Sequence, residues 1–198
     1  MKNTALLTLL AAATVAQAQT APVTPAVKPG EVGRLGLAYA DSGETDGYRL
    51  AVDARLVRDF YLHGSFADIS GPASLDDARA YSLGLSYGLD FGPGKASLGA
   101  ALGALDGDIL DGDQHQLRVA YALRPTKELE IEFSLTHYLN SLDNAPGVDT
   151  DDLTAPALTL RYTFARGVGL EASFSSENTL LGVDTGDGAW SVGVNFSF

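Results

Sequence analysis

Trp190-Ser191-Val192-Gly193-Val194-Asn195-Phe196-Ser197-Phe198 closes the chain. Large apolar residues stand at 190, 192, 194, 196 and 198, with small or polar residues between them. Successive side chains of an extended strand point to opposite faces. The stretch therefore predicts a strand with one greasy face that runs to a C-terminal aromatic residue.

The same period of two recurs along the chain. It predicts strands at roughly 33–40, 48–57, 60–69, 79–90, 95–104, 114–124, 129–138, 156–165, 168–177 and 188–198. The apolar face is clear in Tyr48, Leu50, Val52, Ala54 and Leu56, in Tyr81, Leu83, Leu85, Tyr87 and Leu89, and in Leu158, Leu160, Tyr162 and Phe164. Each strand has about the 9–11 residues that a tilted membrane-crossing strand needs. Short connections near 58–59, 91–94, 125–128 and 165–167 alternate with long ones at 41–47, 70–78, 105–113, 139–155 and 178–187. This predicts an all-β fold: a transmembrane antiparallel up-and-down β-barrel of ten strands, with both termini at the short-turn end. Eight strands is the competing count, with the first or the ninth strand then read as loop.

The N-terminus fits export. Lys2 precedes an almost wholly apolar run at 5–16, and Ala16-Gln17-Ala18 offers a small-x-small cleavage site. Residues 1–18 are read as a signal peptide for Sec-type export, cleaved near Ala18. The run is shorter than the roughly 20 residues of a spanning helix. Residues 19–31, with Pro22, Pro25 and Pro29, read as a Pro-rich periplasmic linker, and 32–198 as the barrel. Behind such a leader, the closing aromatic strand resembles that of a bacterial outer-membrane β-barrel. The expected location is the outer membrane, and the expected partner is its lipid.

Periodicity does not say which face points outward, and a soluble lipocalin-like barrel shows the same alternation. Three features favour lipid on the apolar side. The other face is rich in Gly, Ala and Ser, as at Ser82, Gly84, Ser86 and Gly88. It carries mid-strand charges at Asp53, Arg55, Arg118, Glu132 and Arg161. Aromatic residues of the apolar face gather near strand ends, as the two girdles of a membrane barrel do.

Extending the strands back from the short turns places Asp53 opposite His63, Arg161 opposite Glu171 and Asp90 opposite Lys95. The first of these registers sets Leu56 against Phe60. Three complementary pairings from three hairpins predict a filled, ion-paired lumen, since buried charge is costly unless paired.

The net charge of −12 comes largely from acidic residues in the long loops, while Arg58, Lys95, Arg124, Lys127 and Arg166 lie at the short-turn end. An acidic crown serves solubility and repulsion between loops, or binds divalent cations. Asp106, Asp108, Asp111 and Asp113 form the cation candidate, but Leu110 falls where an EF-hand loop needs a ligand. The absence of a basic patch excludes nucleic-acid binding as an expectation. No metal-ligand spacing or phosphate loop appears, and no cofactor is expected. No motif identifies a protein partner.

One constellation has catalytic chemistry. His63 and Ser65 share a strand face with Asp53 opposite His63, the logic of a base-activated serine. The spacing resembles the His-x-Ser of outer-membrane phospholipase A and lipid A deacylase, in which the pair faces lipid. Here Phe60, Leu62 and Phe66 put His63 and Ser65 on the lumen face, where a His paired to a carboxylate is the plainer reading.

The turn Leu89-Asp-Phe-Gly-Pro-Gly-Lys-Ala-Ser-Leu98, the segment Tyr138-Leu-Asn-Ser-Leu142 leading to Ala157-Leu-Thr-Leu-Arg-Tyr162, and the closing strand resemble the YfaZ-like outer-membrane proteins. The resemblance implies a small barrel and no particular activity. The function expected from the sequence is a non-enzymatic barrel with a structural or surface-interaction role in the envelope. A lipid-modifying serine hydrolase and a narrow cation-favouring channel are the alternatives.

Overall fold

The computed structural model describes residues 32–43, 45–71, 77–107, 110–143, 150–164, 167–179, 181–183, 185 and 188–198. The leader and linker expected at 1–31 lie outside them. Ten strands follow in order: β1 Gly33–Ser42, β2 Thr45–Val57, β3 Phe60–Ser70, β4 Ala78–Phe91, β5 Gly94–Gly107, β6 Gly112–Leu123, β7 Leu129–Leu142, β8 Leu153–Thr163, β9 Val168–Ser175 and β10 Ala189–Ser197. Each pairs antiparallel with its sequence neighbours, and β1 pairs with β10 to close the barrel. The eight-strand count is thereby excluded.

Closure rests on the C-terminal stretch. Leu35 stands opposite Phe196, Leu37 opposite Val194 and Tyr39 opposite Val192. The amides of Val32 and Gly33 donate to the carbonyl of Phe198 at 2.6 and 3.0 Å. Both ends of the described chain therefore meet at the short-turn end. Closing the sheet leaves no strand edge unpaired, which is the condition for placing strands in lipid.

The sidedness is decisive. Leu83, Leu98, Leu102, Val119, Phe133, Leu160 and Val192 are exposed on the outside, whereas Arg49, His63, Gln114, Arg118, Glu132 and Arg161 are buried inside. A soluble barrel shows the reverse, so the lipocalin-like reading falls. Ile131, on the same face of β7 as Phe133, is half-buried. Arg55 faces the lumen mouth, half-buried, with its Nε donating to the carbonyl of Arg58.

The register differs from expectation at one turn. Asp53 does stand opposite His63, but Val57, not Leu56, pairs with Phe60. The ladder slips between Arg55 and Val57, which leaves Leu56 in a bulge. Arg58 takes a left-handed conformation (φ 44°), so the tight turn carries the distortion.

Candidate functional site: a lumen closed at two levels

The lumen is filled at mid-height by an ion-pair network. Arg161 on β8 is its centre. Its Nε donates to Glu171 on β9 at 2.5 Å, and its Nη1 reaches Glu130 and Glu132 on β7 at 2.9 and 3.5 Å. Glu132 also receives Arg118 of β6, Glu130 receives Arg124 at 2.8 Å, and Glu171 receives Arg49 of β2 at 3.3 Å. One cation thus ties together carboxylates from the two strands that flank it. Such groups persist in a low-dielectric interior only when paired and hydrogen-bonded.

The third expected pair has a different geometry. Asp90 stands opposite Lys95 in register. Lys95 instead donates to the Tyr61 hydroxyl at 2.7 Å and lies 3.8 Å from Asp59. Asp90 is exposed at the lower mouth. There, Arg55, Asp59, Tyr61, Asp90, Lys95 and Arg124 line an open vestibule of about 390 Å³.

His63 makes two hydrogen bonds. Its Nδ1 is 2.7 Å from Asp53 Oδ1 and its Nε2 is 2.6 Å from Ser86 Oγ on β4. Ser65, read as the histidine's partner, bonds instead to Ser82 Oγ at 3.0 Å. The correction follows from strand geometry. Residues two apart on one strand share a face but are about 7 Å apart, while a diagonal neighbour on the next strand lies closer to a long side chain. His63 pairs with Gly84, and Ser86 is that diagonal neighbour. Gly84 is required there, because a Cβ would lie 2.6 Å from Ala101 Cβ. Asp53, His63 and Ser86 have the connectivity of a catalytic triad. However, His63 and Ser86 are buried, and neither the vestibule nor the two small lumen cavities is lined by Ser86.

The outer mouth is stoppered. The β9–β10 connection turns into the barrel and buries Asn178, Leu181 and Val183. Leu181 and Val183 join Leu110, Ile69, Leu105 and small alanines of the wall in an apolar cluster. Polar anchors hold the segment. Gln114 Nε2 donates to the carbonyls of Leu181 and Gly182 at 3.1 and 3.3 Å and to Asn140 Oδ1 at 2.8 Å. Asn140 Nδ2 donates to Gly182 O, and Asn178 Nδ2 to Thr45 Oγ1, both at 3.0 Å. This stopper was not foreseen. Its only sequence signal is the apolar run at 180–183 inside an otherwise polar connection.

Three of the four residues of the cation candidate lie among the described residues. Asp106 accepts the Tyr81 hydroxyl at 3.0 Å, and the Asp111 carbonyl accepts the Asp143 amide. Asp113 is exposed on β6, Leu110 belongs to the stopper cluster, and Asp108 lies outside the described residues. Among the described residues, no group of three or more His, Asp or Glu side chains is arranged to hold a metal ion. His115 is exposed on the outer face of β6, and His137 Nδ1 lies 2.9 Å from Thr154 Oγ1.

No family model matches the chain, and no curated protein matches it. Its structure is similar to that of an outer membrane channel from Pseudomonas putida F1, with 12% identity and a TM-score of 0.50 over 91% of this chain and 97% of that one. The NanC porin gives 11% identity and 0.48 over 84% of this chain and 100% of its own. The KdgM porin in complex with disordered oligogalacturonate gives 11% and 0.48 over 83% and 99%. At these identities the likeness is one of fold, and the chain is a ten-stranded antiparallel β-barrel of the bacterial outer-membrane type.

Proposed function

We propose that this protein is a narrow channel of the outer membrane, closed in the conformation described and not an enzyme. One observation carries the reading: the outer stopper belongs to a connecting segment and not to the wall. Every strand pair of the barrel closes without Asn178, Leu181, Gly182 or Val183. Withdrawing them exposes a polar lumen that leads past the Arg161 network to the lower vestibule. An outer-membrane channel of known structure uses the same fold. The exposed Asp106, Asp111, Asp143 and Asp151 and the half-buried Asp41 around the outer end favour cations at the entrance, as rings of carboxylates do in other pores. Within this reading the turn at 89–98 and the closing strand keep the kinship with YfaZ-like proteins.

Dense pairing in the lumen favours a second reading, a barrel that serves the envelope as a structural element. Planar-bilayer recordings separate the two. The intact barrel should give small, infrequent openings. A variant with 178–187 replaced by a short Gly-Ser link should conduct steadily, with a reversal potential favouring K⁺ over Cl⁻. Silence from both proteins, with the barrel folded by gel mobility, would establish the structural role.

A further inference from the structure

Arg49 stands opposite Ala38, Ala38 opposite Gly193, and Gly193 opposite Glu171. These residues form one register row across β2, β1, β10 and β9. The two in the middle bring almost no side chain into the lumen. Arg49 therefore reaches in front of two strands and holds Glu171 at 3.3 Å. Gly193 is required in this row, because a Cβ there would lie 2.7 Å from Ala38 Cβ.

One small cavity lies on each side of the row. The upper, of about 20 Å³, borders Ala40 and Ser191, the next inward pair toward the outer mouth. The lower, of about 30 Å³, borders Gly36 and Asn195, the next inward pair toward the vestibule. Arg49 alone among the described residues borders both. The file of spaces continues at each end. Thr179 of the β9–β10 connection borders the upper cavity, and Asp53 of the lower cavity stands two residues from Arg55 of the vestibule. Both cavities are polar enough for water. Buried Ser191 Oγ and Asn195 Nδ2 find no partner among the described residues, and each cavity has room for one or two waters. The opposite wall, β6 and β7, fills its share of the lumen with the longer Gln116, Arg118, Glu132 and Tyr138, all buried.

We propose that this file of cavities is the conduction route of the open barrel, and that Arg49 is the residue that bars it and sets its ion preference. The role rests on the channel reading above and adds a second closure beneath the stopper. Drawn across to Glu171, the guanidinium separates the two water-sized spaces. A cation arriving from the acidic outer end meets its charge at close range, where little water screens it. Loss of the Arg49 side chain joins the cavities and removes that barrier.

The test uses the barrel with 178–187 replaced by the Gly-Ser link, recorded in planar bilayers under a KCl gradient. Arg49→Ser in that background should raise the single-channel conductance by about twofold or more and move the reversal potential further toward K⁺. Arg49→Lys restores the charge and should bring the reversal potential back toward that of the shortened barrel. Gly36→Val should act in the opposite sense. A Cβ at Gly36 meets nothing nearer than the Val194 carbonyl at 3.9 Å, so the added methyls enter the lower cavity. Conductance should then fall by about half or more, with the barrel folded by gel mobility. A shortened barrel that stays silent overturns the channel reading and the route with it. A shortened barrel that conducts, and whose conductance and reversal potential do not change with Arg49→Ser, overturns the role of Arg49 alone. Conductance untouched by Gly36→Val overturns the route. If Arg49→Ser fails to refold, Arg49→Gln, which keeps a hydrogen-bond donor for Glu171, carries the reversal-potential measurement.

Discussion

His63 Nε2 lies 2.6 Å from Ser86 Oγ while its Nδ1 lies 2.7 Å from Asp53 Oδ1. A single imidazole thus fastens β2, β3 and β4 together from inside the barrel. Catalysis by the same three groups requires room for a substrate beside the hydroxyl and donors for an oxyanion. Ser86 lines neither the vestibule nor either of the two small lumen cavities, and we read the arrangement as a clasp.

Ser86→Ala should lower the thermal midpoint by removing one partner of a buried hydrogen bond, at a cost of about 1–3 kcal/mol. His63→Ala should cost more, about 3–5 kcal/mol, because it strands the Asp53 carboxylate in the lumen. Ser65→Ala should be milder than either, since the lost hydroxyl meets the neutral Ser82 hydroxyl at 3.0 Å and its removal strands no charge. Heat-modifiability gels rank the three. Phospholipid or lipid A hydrolysis by the wild type that vanishes in Ser86→Ala would make the clasp a catalytic site.

The sequence showed Asp53 opposite His63 and Arg161 opposite Glu171 because a short turn fixes the register of each hairpin. It could not show Ser86 beside His63, since β3 and β4 are joined by the long connection at 71–77, which leaves their register open. The same reason hid the convergence on Arg161. Its partner on β9 lies across a short turn, whereas Glu130 and Glu132 lie across the long connection between β7 and β8. The stopper escaped for a different reason. Strand periodicity reports the wall and is silent on whether an irregular connection turns outward or inward.

The outward position of Leu160 gives a test of the membrane face. It is 44% exposed on β8, level with Ile131 and Ala172 on the neighbouring strands. Leu160→Arg should destabilise the barrel by about 2–4 kcal/mol if the residue lies near the bilayer midplane. Urea-induced unfolding in vesicles measures this. Thr159→Val, one residue away and facing inward, should have a smaller effect. Equal and negligible changes at both positions would remove Leu160 from the lipid.

Arg161 should be the least replaceable residue of the lumen. Arg161→Met leaves Glu130, Glu132 and Glu171 without their shared cation. Breaking one buried pair typically costs about 3–5 kcal/mol, and here three carboxylates lose a partner together. The variant should fail to refold into detergent at neutral pH. Arg124 donates to Glu130 from a position a third exposed, so Arg124→Ala should refold with a modest loss. A folded, wild-type-like Arg161→Met barrel would show that the network contributes little to stability.

The stopper should yield to small changes at its anchors. Gly182 has φ 63°, and a Cβ there would lie 2.7 Å from Gln114 Nε2. Gly182→Ala therefore combines backbone strain with a clash against the side chain that holds the segment. Gln114→Ala removes the Nε2 donor to Asn140 Oδ1 and to the carbonyls of Leu181 and Gly182, of which Gly182 keeps the Asn140 Nδ2 donor. Neither residue takes part in the Arg161 network, so both barrels should keep their heat-modifiability midpoint within a few degrees. Both should open more often in planar bilayers than the wild type, and Gly182→Ala in combination with Gln114→Ala should approach the barrel lacking 178–187. Asn195 and the arginines around it remain in place, so the conductance of an open event should match that of the shortened barrel. Variants that open no more often than the wild type, beside a shortened barrel that conducts steadily, would show that the apolar cluster of Leu110, Leu181 and Val183 holds the stopper without the Gln114 anchor.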